Sequence, residues 1–363
     1  MTAADAVAAA RPAAGRRRRP RAVIVFATLA VLLLAVSLLA ATIGAAGIPL
    51  SRLMPALGLG GAADPATFAR DQLVLWSIRI PRIAVSAMIG ALLATSGTIM
   101  QGLFRNPLAD PALVGVASGG AFAAAFTIVV LDNAIAPNAA ANAFELLPLA
   151  AFVGSLITTL VLYRIASREG RTSVAIFLLS GLAIAALANA GIGLLIFMAD
   201  DRQLRDITFW LLGSLGGATW RKAALLLPFL AVAVAAIPFI GRGLDVLVLG
   251  ESEAFHSGIN VERLKVVCIV LVSAMTGTAV AVCGVIGFVG IVVPHLLRLA
   301  IGPGHRLLLP ASAAFGAALM VFADMFARVL AAPAEIPVGI LTATIGAPFF
   351  LYVLLRQRAL VGS

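Results

Sequence analysis

Nine uncharged stretches, most of them as long as one bilayer crossing, follow one another between short charged segments: residues 22–51, 83–104, 111–131, 146–163, 172–199, 223–241, 266–297, 307–323 and 336–355. A helix needs roughly 20 mostly apolar residues to cross the hydrocarbon core. Within lipid, every backbone polar group must be satisfied inside the segment, and runs of this length do that as helices. Composition agrees, because 62% of residues are hydrophobic, 12% are charged and the mean hydropathy is +1.08, far from a soluble globular chain. The expected fold class is all-α, a polytopic membrane protein.

Residues 266–297 make one uncharged stretch of 32 residues, about 48 Å as a helix at ~1.5 Å per residue. It must break near Cys283, Gly284 and Gly287, which raises the expectation to ten transmembrane helices. An even number puts both termini on one side. With that topology 17 of the 26 Lys and Arg residues fall on the terminal side and 9 opposite. The positive-inside rule then makes the N- and C-termini cytoplasmic, six arginines of the N-terminal tail supplying much of the excess. The organisation read from this is a basic cytoplasmic tail at 1–21, one ten-helix transmembrane domain at 22–358 and a short tail at 359–363.

The net charge of +10 raises nucleic acid as a partner, but the run from Arg16 to Arg19 reads as a topology anchor against anionic membrane lipid. The first apolar run is too long for a signal peptide and has no clear small-residue cleavage site. Cys268 and Cys283 sit in apolar sequence without metal-ligand spacing and read as packing residues.

No phosphate-binding loop of the G-x-x-x-x-G-K-[ST] type occurs, and neither Lys222 nor Lys265 follows a glycine, so ATP hydrolysis, if it drives the chain, must come from a partner subunit. An ion-coupled carrier would place carboxylates or unwound segments near mid-membrane. Only Asp324 looks partly intramembrane, and Arg328 four residues on shares its face, as in a structural ion pair near a span end. His256, His295 and His305 have no nucleophile or carboxylate cluster beside them in the sequence. The chain alone is not expected to be an enzyme.

Several connections carry more information than their length. Asp64-Pro65 reads as an N-cap and first helical position, opening a short external helix to about Trp76. Arg79-Ile80-Pro81-Arg82 then places two arginines at the outer surface, where they are expected as exposed charges that snorkel to headgroups or dock an acidic partner. Arg105 to Pro111 has prolines at 107 and 111 and reads as a fixed turn on the inner face, with Asn106 open to a pore role. Thr172 and Ser173 suit the cap of the fifth span. After the charged run 200–206, fourteen uncharged residues ending at Trp220 read as a short helix dipping along the outer mouth, broken at Gly213, Gly216 and Gly217. Residues 241–262 form the longest polar inner connection, in which Leu249 to Gly258 reads as a short helix with an acidic first turn and a glycine stop. Gly287 and Gly290 suit close helix packing.

Together, Arg79 to Arg82, Gly97 to Gln101, Arg105 to Pro111, Gly250-Glu251, Gly287 to Pro294 and Glu335-Ile336-Pro337-Val338-Gly339 resemble, in order, the permease family of ABC importers for ferric siderophores, haem and vitamin B12. The resemblance covers about residues 22–356. It implies a permease dimer, most simply a homodimer, with the path along its interface. It also implies two ABC ATPase subunits inside, using ATP and Mg, and a periplasmic binding protein outside. Carried over by position, Arg79, Arg82 and Arg328 resemble the external arginines that pair with glutamates of the binding protein. Asn106 and Leu108 match positions that narrow the cytoplasmic end of the path, with Thr172 and Ser173 as its other half. Leu249, Gly250, Glu251, Glu253 and Gly258 form the segment that couples to the ATPase.

Within the family, Gln203-Leu204-Arg205 and Thr208 to Gly217 most resemble haem permeases, so haem is the expected cargo and a periplasmic haem-binding protein the expected donor. A ferric siderophore or cobalamin is the alternative cargo, and an ion-coupled secondary carrier the alternative class. No cofactor or metal is expected to be bound by the chain itself.

Overall fold

The computed structural model describes residues 14–44, 47–59, 64–111, 115–131, 140–168 and 171–361. In chain order the elements are α1 (Ala14–Thr42), α2 (Leu50–Ala56), α3 (Pro65–Val74), α4 (Ile80–Leu103), α5 (Val116–Phe126), α6 (Ala140–Ala166), two short strands β1 (Ser167–Arg168) and β2 (Arg171–Thr172), α7 (Val174–Met198), α8 (Asp201–Leu211), α9 (Trp220–Leu247), α10 (Glu251–His256), α11 (Val261–Cys283), α12 (Val289–Ile301), α13 (His305–Val329) and α14 (Val338–Val361). Among the described residues, seven helices are long and apolar enough to cross a membrane: Ala22–Thr42, Pro65–Leu103, Leu146–Ala166, Ala175–Met198, Trp220–Leu247, Val261–Cys283 and His305–Val329. Three shorter apolar helices, Val116–Leu131, Val289–Ile301 and Val338–Val353, occupy the remaining expected spans. The chain is a nearly all-helical, multi-pass membrane protein.

The centre of the bundle is α4, whose residues from Ile89 to Leu103 are all buried. Its small residues explain this position. Gly90 meets the backbone of Gly316 on α13, and Gly97 meets the backbone of Gly290 on α12, so closely that a side chain at either glycine would strike main chain. Apolar side chains gain little by leaving lipid for one another, so helices in a membrane associate where small residues let backbones approach. Of the two glycines read as packing positions in span 8, Gly290 serves in this way. Gly287 faces open space.

The stretch 266–297 breaks where length demanded. α11 stops at Cys283, Gly284 takes φ 76, and α12 resumes at Val289 after Phe288 at φ 68. Asp64 caps α3 as expected, accepting from the Ala66 and Thr67 amides at 3.3 and 3.2 Å. The Thr67 hydroxyl foremost, then those two amides, holds its carboxyl below the usual range.

Two expectations need correction. The external helix does not end near Trp76: a π-helical turn at Leu75–Arg79 carries α3 directly into α4. The wider turn closes with the Ile80 amide on the Leu75 carbonyl, so Pro81, which lacks an N–H, enters at the second position of α4 without interrupting the axis. The second correction concerns the outer mouth. Its helix, α8, lies on the charged run and ends before Gly213, because Asp200 and Gln203 form a capping box that nucleates it there. Residues 212–219 are irregular. Gly213, at φ 70, packs on the Val285 carbonyl, Gly284 on that of Trp210 and Gly339 on that of Leu212, so loop 212–219, the break at 284–288 and the start of α14 form one layer. Irregular backbone at membrane depth is tolerated when buried in protein in this manner.

Candidate functional site

The residues singled out in the sequence segregate to the two ends of α4, 24 residues long, or about 36 Å at ~1.5 Å per residue. At one end lie Arg79, Arg82 and Arg328, brought together by α4 and α13. The guanidinium of Arg82 is clamped between two carboxylates. Nε and Nη2 reach Asp324 at 2.8–3.0 Å, and Nη1 reaches both oxygens of Glu335 at 2.9 and 3.0 Å. Arg328 pairs with the other side of Asp324 at 3.4 Å, which is the ion pair its spacing suggested. Arg79 donates to the Ala41 carbonyl, and Arg328 to those of Ala40 and Ile43 at 3.3 and 3.5 Å. These carbonyls end α1, where acceptors without an intrahelical partner and the negative pole of the helix dipole draw cations.

The sequence placed Arg79 and Arg82 as exposed charges, and here it is corrected: they are 3% and 7% exposed. The carbonyls of α1 and the Asp324–Glu335 pair supply partners that headgroups would otherwise supply. Glu335, with 44% of its side chain exposed, is the solvent-facing member of this cluster. Trp76 and Trp220 sit at the same end, the Trp220 Nε1 donating to the Trp76 carbonyl at 2.9 Å.

At the other end, Arg105 adopts φ 50 and the chain turns sharply, as the two prolines required. Asn106 accepts the Leu108 amide on its own Oδ1 at 2.9 Å, so its side chain closes an Asx turn. It is exposed and Leu108 half-buried. Phe104, just before the turn, stacks against Phe177 in the first turn of α7 with ring centroids 6.2 Å apart, which sets the 104–111 turn beside the start of α7. Of the two residues expected to cap that helix, Ser173 does so, its Oγ accepting from Ile176 at 3.4 Å. Thr172 does not. It lies in β2, opposite Ser167 of β1, with its hydroxyl 3.0 Å from the Ser167 hydroxyl.

The 241–262 connection contains α10 as read. Gly250 at φ 133 starts it and Gly258 at φ 78 ends it, both backbone conformations that favour glycine. Ala254 is fully buried beneath it, whereas Leu249 and Phe255 are 72% and 71% exposed and Glu251, Ser252 and Glu253 face outward with them. Glu251 also turns back to a buried lysine, Lys265, at 3.0 Å. Lys265 further binds Glu262 at 2.9 Å and the Thr172 carbonyl at 3.1 Å.

Sequence reasoning missed Lys265, Glu262 and the role of Glu335. The i,i+3 spacing of Glu262 and Lys265 was the available signal for the first two. It also left His305 without a carboxylate, whereas Asp245 lies 3.0 Å from its Nδ1. Among the described residues no group of three or more His, Cys, Asp or Glu is arranged to hold a metal ion, and Cys268 and Cys283 are buried.

The profile of the FecCD transport family matches residues 29–356. The chain belongs to the FecCD transport family. This family permease is 45% identical over 289 residues to the hemin transport system permease protein HmuU of Yersinia pestis, covering 78% of this chain and 84% of that protein. It is 43% identical over 307 residues to the cobalamin import system permease protein BtuC of Halobacterium salinarum, covering 84% and 79%. Among solved structures, a metal-chelate type ABC transporter in an inward-facing conformation superposes with a TM-score of 0.78 at 31% identity, over 92% of this chain and 99% of that one. The family resemblance read from six ordered motifs is therefore correct. The molecule is a permease of the type II ABC importer class, a transport subunit and not itself an ATPase.

Proposed function

We propose that this chain is the permease of an importer that moves haem across the bacterial inner membrane. Two copies form the transport unit as a homodimer, each crossing ten times with both termini in the cytoplasm. A periplasmic binding protein delivers haem, and two ABC ATPase subunits supply energy from ATP and Mg. The observation that carries the haem reading is the 45% identity to a hemin permease across most of both chains.

The geometry favours this division of labour. α10 and Leu249 just before it present two large apolar side chains beside carboxylates at one end of the bundle, the anatomy of a protein-binding hot spot: an apolar anchor with a charged rim. The opposite end presents the Arg79, Arg82 and Arg328 cluster with Glu335 at its surface. In this reading an acidic group of the docking partner competes with the exposed Glu335 for the Arg82 guanidinium beneath it. In this reading nucleotide closes the ATPase pair, and α10 conveys that closure to the gate formed by Asn106, Leu108, Thr172 and Ser173.

Cobalamin is the second reading, supported by 43% identity to a cobalamin permease over 84% of this chain. ATP hydrolysis by the reconstituted complex separates the two. Binding protein loaded with haem is expected to stimulate hydrolysis, and binding protein offered cobalamin or a ferric siderophore is not. Stimulation by cobalamin alone would overturn the cargo, and no stimulation by any loaded binding protein would overturn the importer.

A further inference from the structure

Lys265 is almost sealed from solvent, with 4% of its side chain exposed, and it joins three elements. It donates to Glu251 Oε2 of α10 at 3.0 Å, to Glu262 Oε1 of its own helix α11 at 2.9 Å, and to the Thr172 carbonyl of β2 at 3.1 Å. Glu262 returns its second oxygen to the same strand, accepting the Thr172 amide at 2.8 Å. Both backbone polar groups of Thr172 are thus held by the Glu262–Lys265 pair, and α10 reaches that pair through Glu251. A lysine ammonium has three donors, and all three are engaged, one on each acceptor.

We propose that Lys265 is the positioning residue that carries movement of α10 to the 171–173 segment. The proposal rests on the ABC importer reading above. Letting the Glu251 arm go would leave one donor of a buried ammonium without an acceptor, which is unfavourable, while Glu262 and the Thr172 carbonyl hold the ammonium in place, so the joint moves as a unit. On its input side, Leu249 and Phe255 are 72% and 71% exposed and offer a motor subunit its grip on α10. On its output side, Ser173 caps α7 and the first turn of that helix packs through Phe177 on Phe104, at the 104–111 turn. A chain of direct contacts therefore runs from the exposed α10 surface to both halves of the expected gate, with Lys265 as its only side chain bonded to α10 and β2 together among the described residues.

The test uses the full complex of permease, ATPase and binding protein in vesicles. Glu251→Ala cuts the α10 arm and leaves the other two. Lys265→Met removes the joint, and Lys265→Arg keeps its charge. Arg168→Cys, at the exposed last residue of β1, is introduced into each of these backgrounds and reports movement through its rate of maleimide labelling with and without a non-hydrolysable ATP analogue. Both native cysteines are buried and leave this signal clean.

The expected result is that nucleotide alters labelling at position 168 when Lys265 and Glu251 are intact. In Glu251→Ala and Lys265→Met that response is lost and chelate uptake per ATP hydrolysed falls about fivefold, the low end of ordinary coupling between sites. Lys265→Arg restores part of both. Should Lys265→Met fail to assemble, Glu251→Ala decides the matter. The proposal is overturned if Glu251→Ala keeps the labelling response and the uptake-to-hydrolysis ratio, or if uptake and hydrolysis fall in equal proportion, which marks a structural role. Wild-type uptake in the same vesicles checks the transport reading separately.

Discussion

Arg82 carries a full positive charge to a position 7% exposed and is held there by Asp324 and Glu335, at 2.8 and 2.9 Å. The two carboxylates are not equivalent. Asp324 is buried and also serves Arg328, whereas Glu335 has 44% of its side chain exposed. Replacing Arg82 with alanine leaves Asp324 short of a partner, with an expected cost of about 3 kcal/mol. Glu335→Gln changes a solvent-screened arm and is expected to cost under ~1 kcal/mol. Thermal inactivation of the purified permease in detergent measures both, and equal losses would contradict the asymmetry. At this scale the sequence was only partly legible. The i,i+4 spacing of Asp324 and Arg328 is visible in one helix and was read correctly. The contact from Arg82 to Glu335 spans 253 positions, and no local pattern records it. Exposure of Arg79 and Arg82 was misjudged for the same reason, since the Ala41 carbonyl that receives Arg79 and the carboxylates that receive Arg82 belong to distant segments. Lys265 was overlooked because its partners on α10 and β2 are equally remote.

Among the elements, the helices were legible because bilayer length and lack of charge define them, and the break after Cys283 followed from length alone. The π-helical turn at Leu75–Arg79 was not, because one extra residue in a turn leaves no mark on hydropathy. α8 was placed too late because its charged residues resembled a loop, although Asp200 and Gln203 spelled a capping box. The contact between α4 and α12 provides a sharp test. Gly97→Leu drives a side chain into the Gly290 backbone, with no flexible atom to yield, so it is expected to abolish a monodisperse peak in size-exclusion chromatography. Gly287→Ala meets nothing within 4 Å and is expected to elute like the wild type; a normal Gly97→Leu profile would refute the close approach. On α10, Phe255→Ser removes an exposed apolar anchor and is expected to weaken ATPase binding about tenfold, or ~1.4 kcal/mol. Surface-immobilised ATPase reads this directly, and unchanged affinity would remove Phe255 from the interface.

The whole molecule separates two groups of residues along α4: an arginine and carboxylate cluster with two tryptophans at one end, and the α10 surface, Lys265 and the 104–111 and 171–173 segments at the other. The class of machine was legible because the missing phosphate-binding loop sent energy supply to a partner and six ordered motifs pointed to one permease family. Cargo is less legible in physical terms, because in the proposed dimer the path would be lined by residues of two chains, which no single residue pattern encodes. The measurement that bears most directly on the account is uptake of haem into vesicles containing this permease, its ATPase and its binding protein, with ferric siderophore and cobalamin as competitors. The account predicts haem uptake that requires ATP and all three components and is little reduced by the competitors. Uptake that persists without the ATPase, or that selects another chelate over haem, would contradict it.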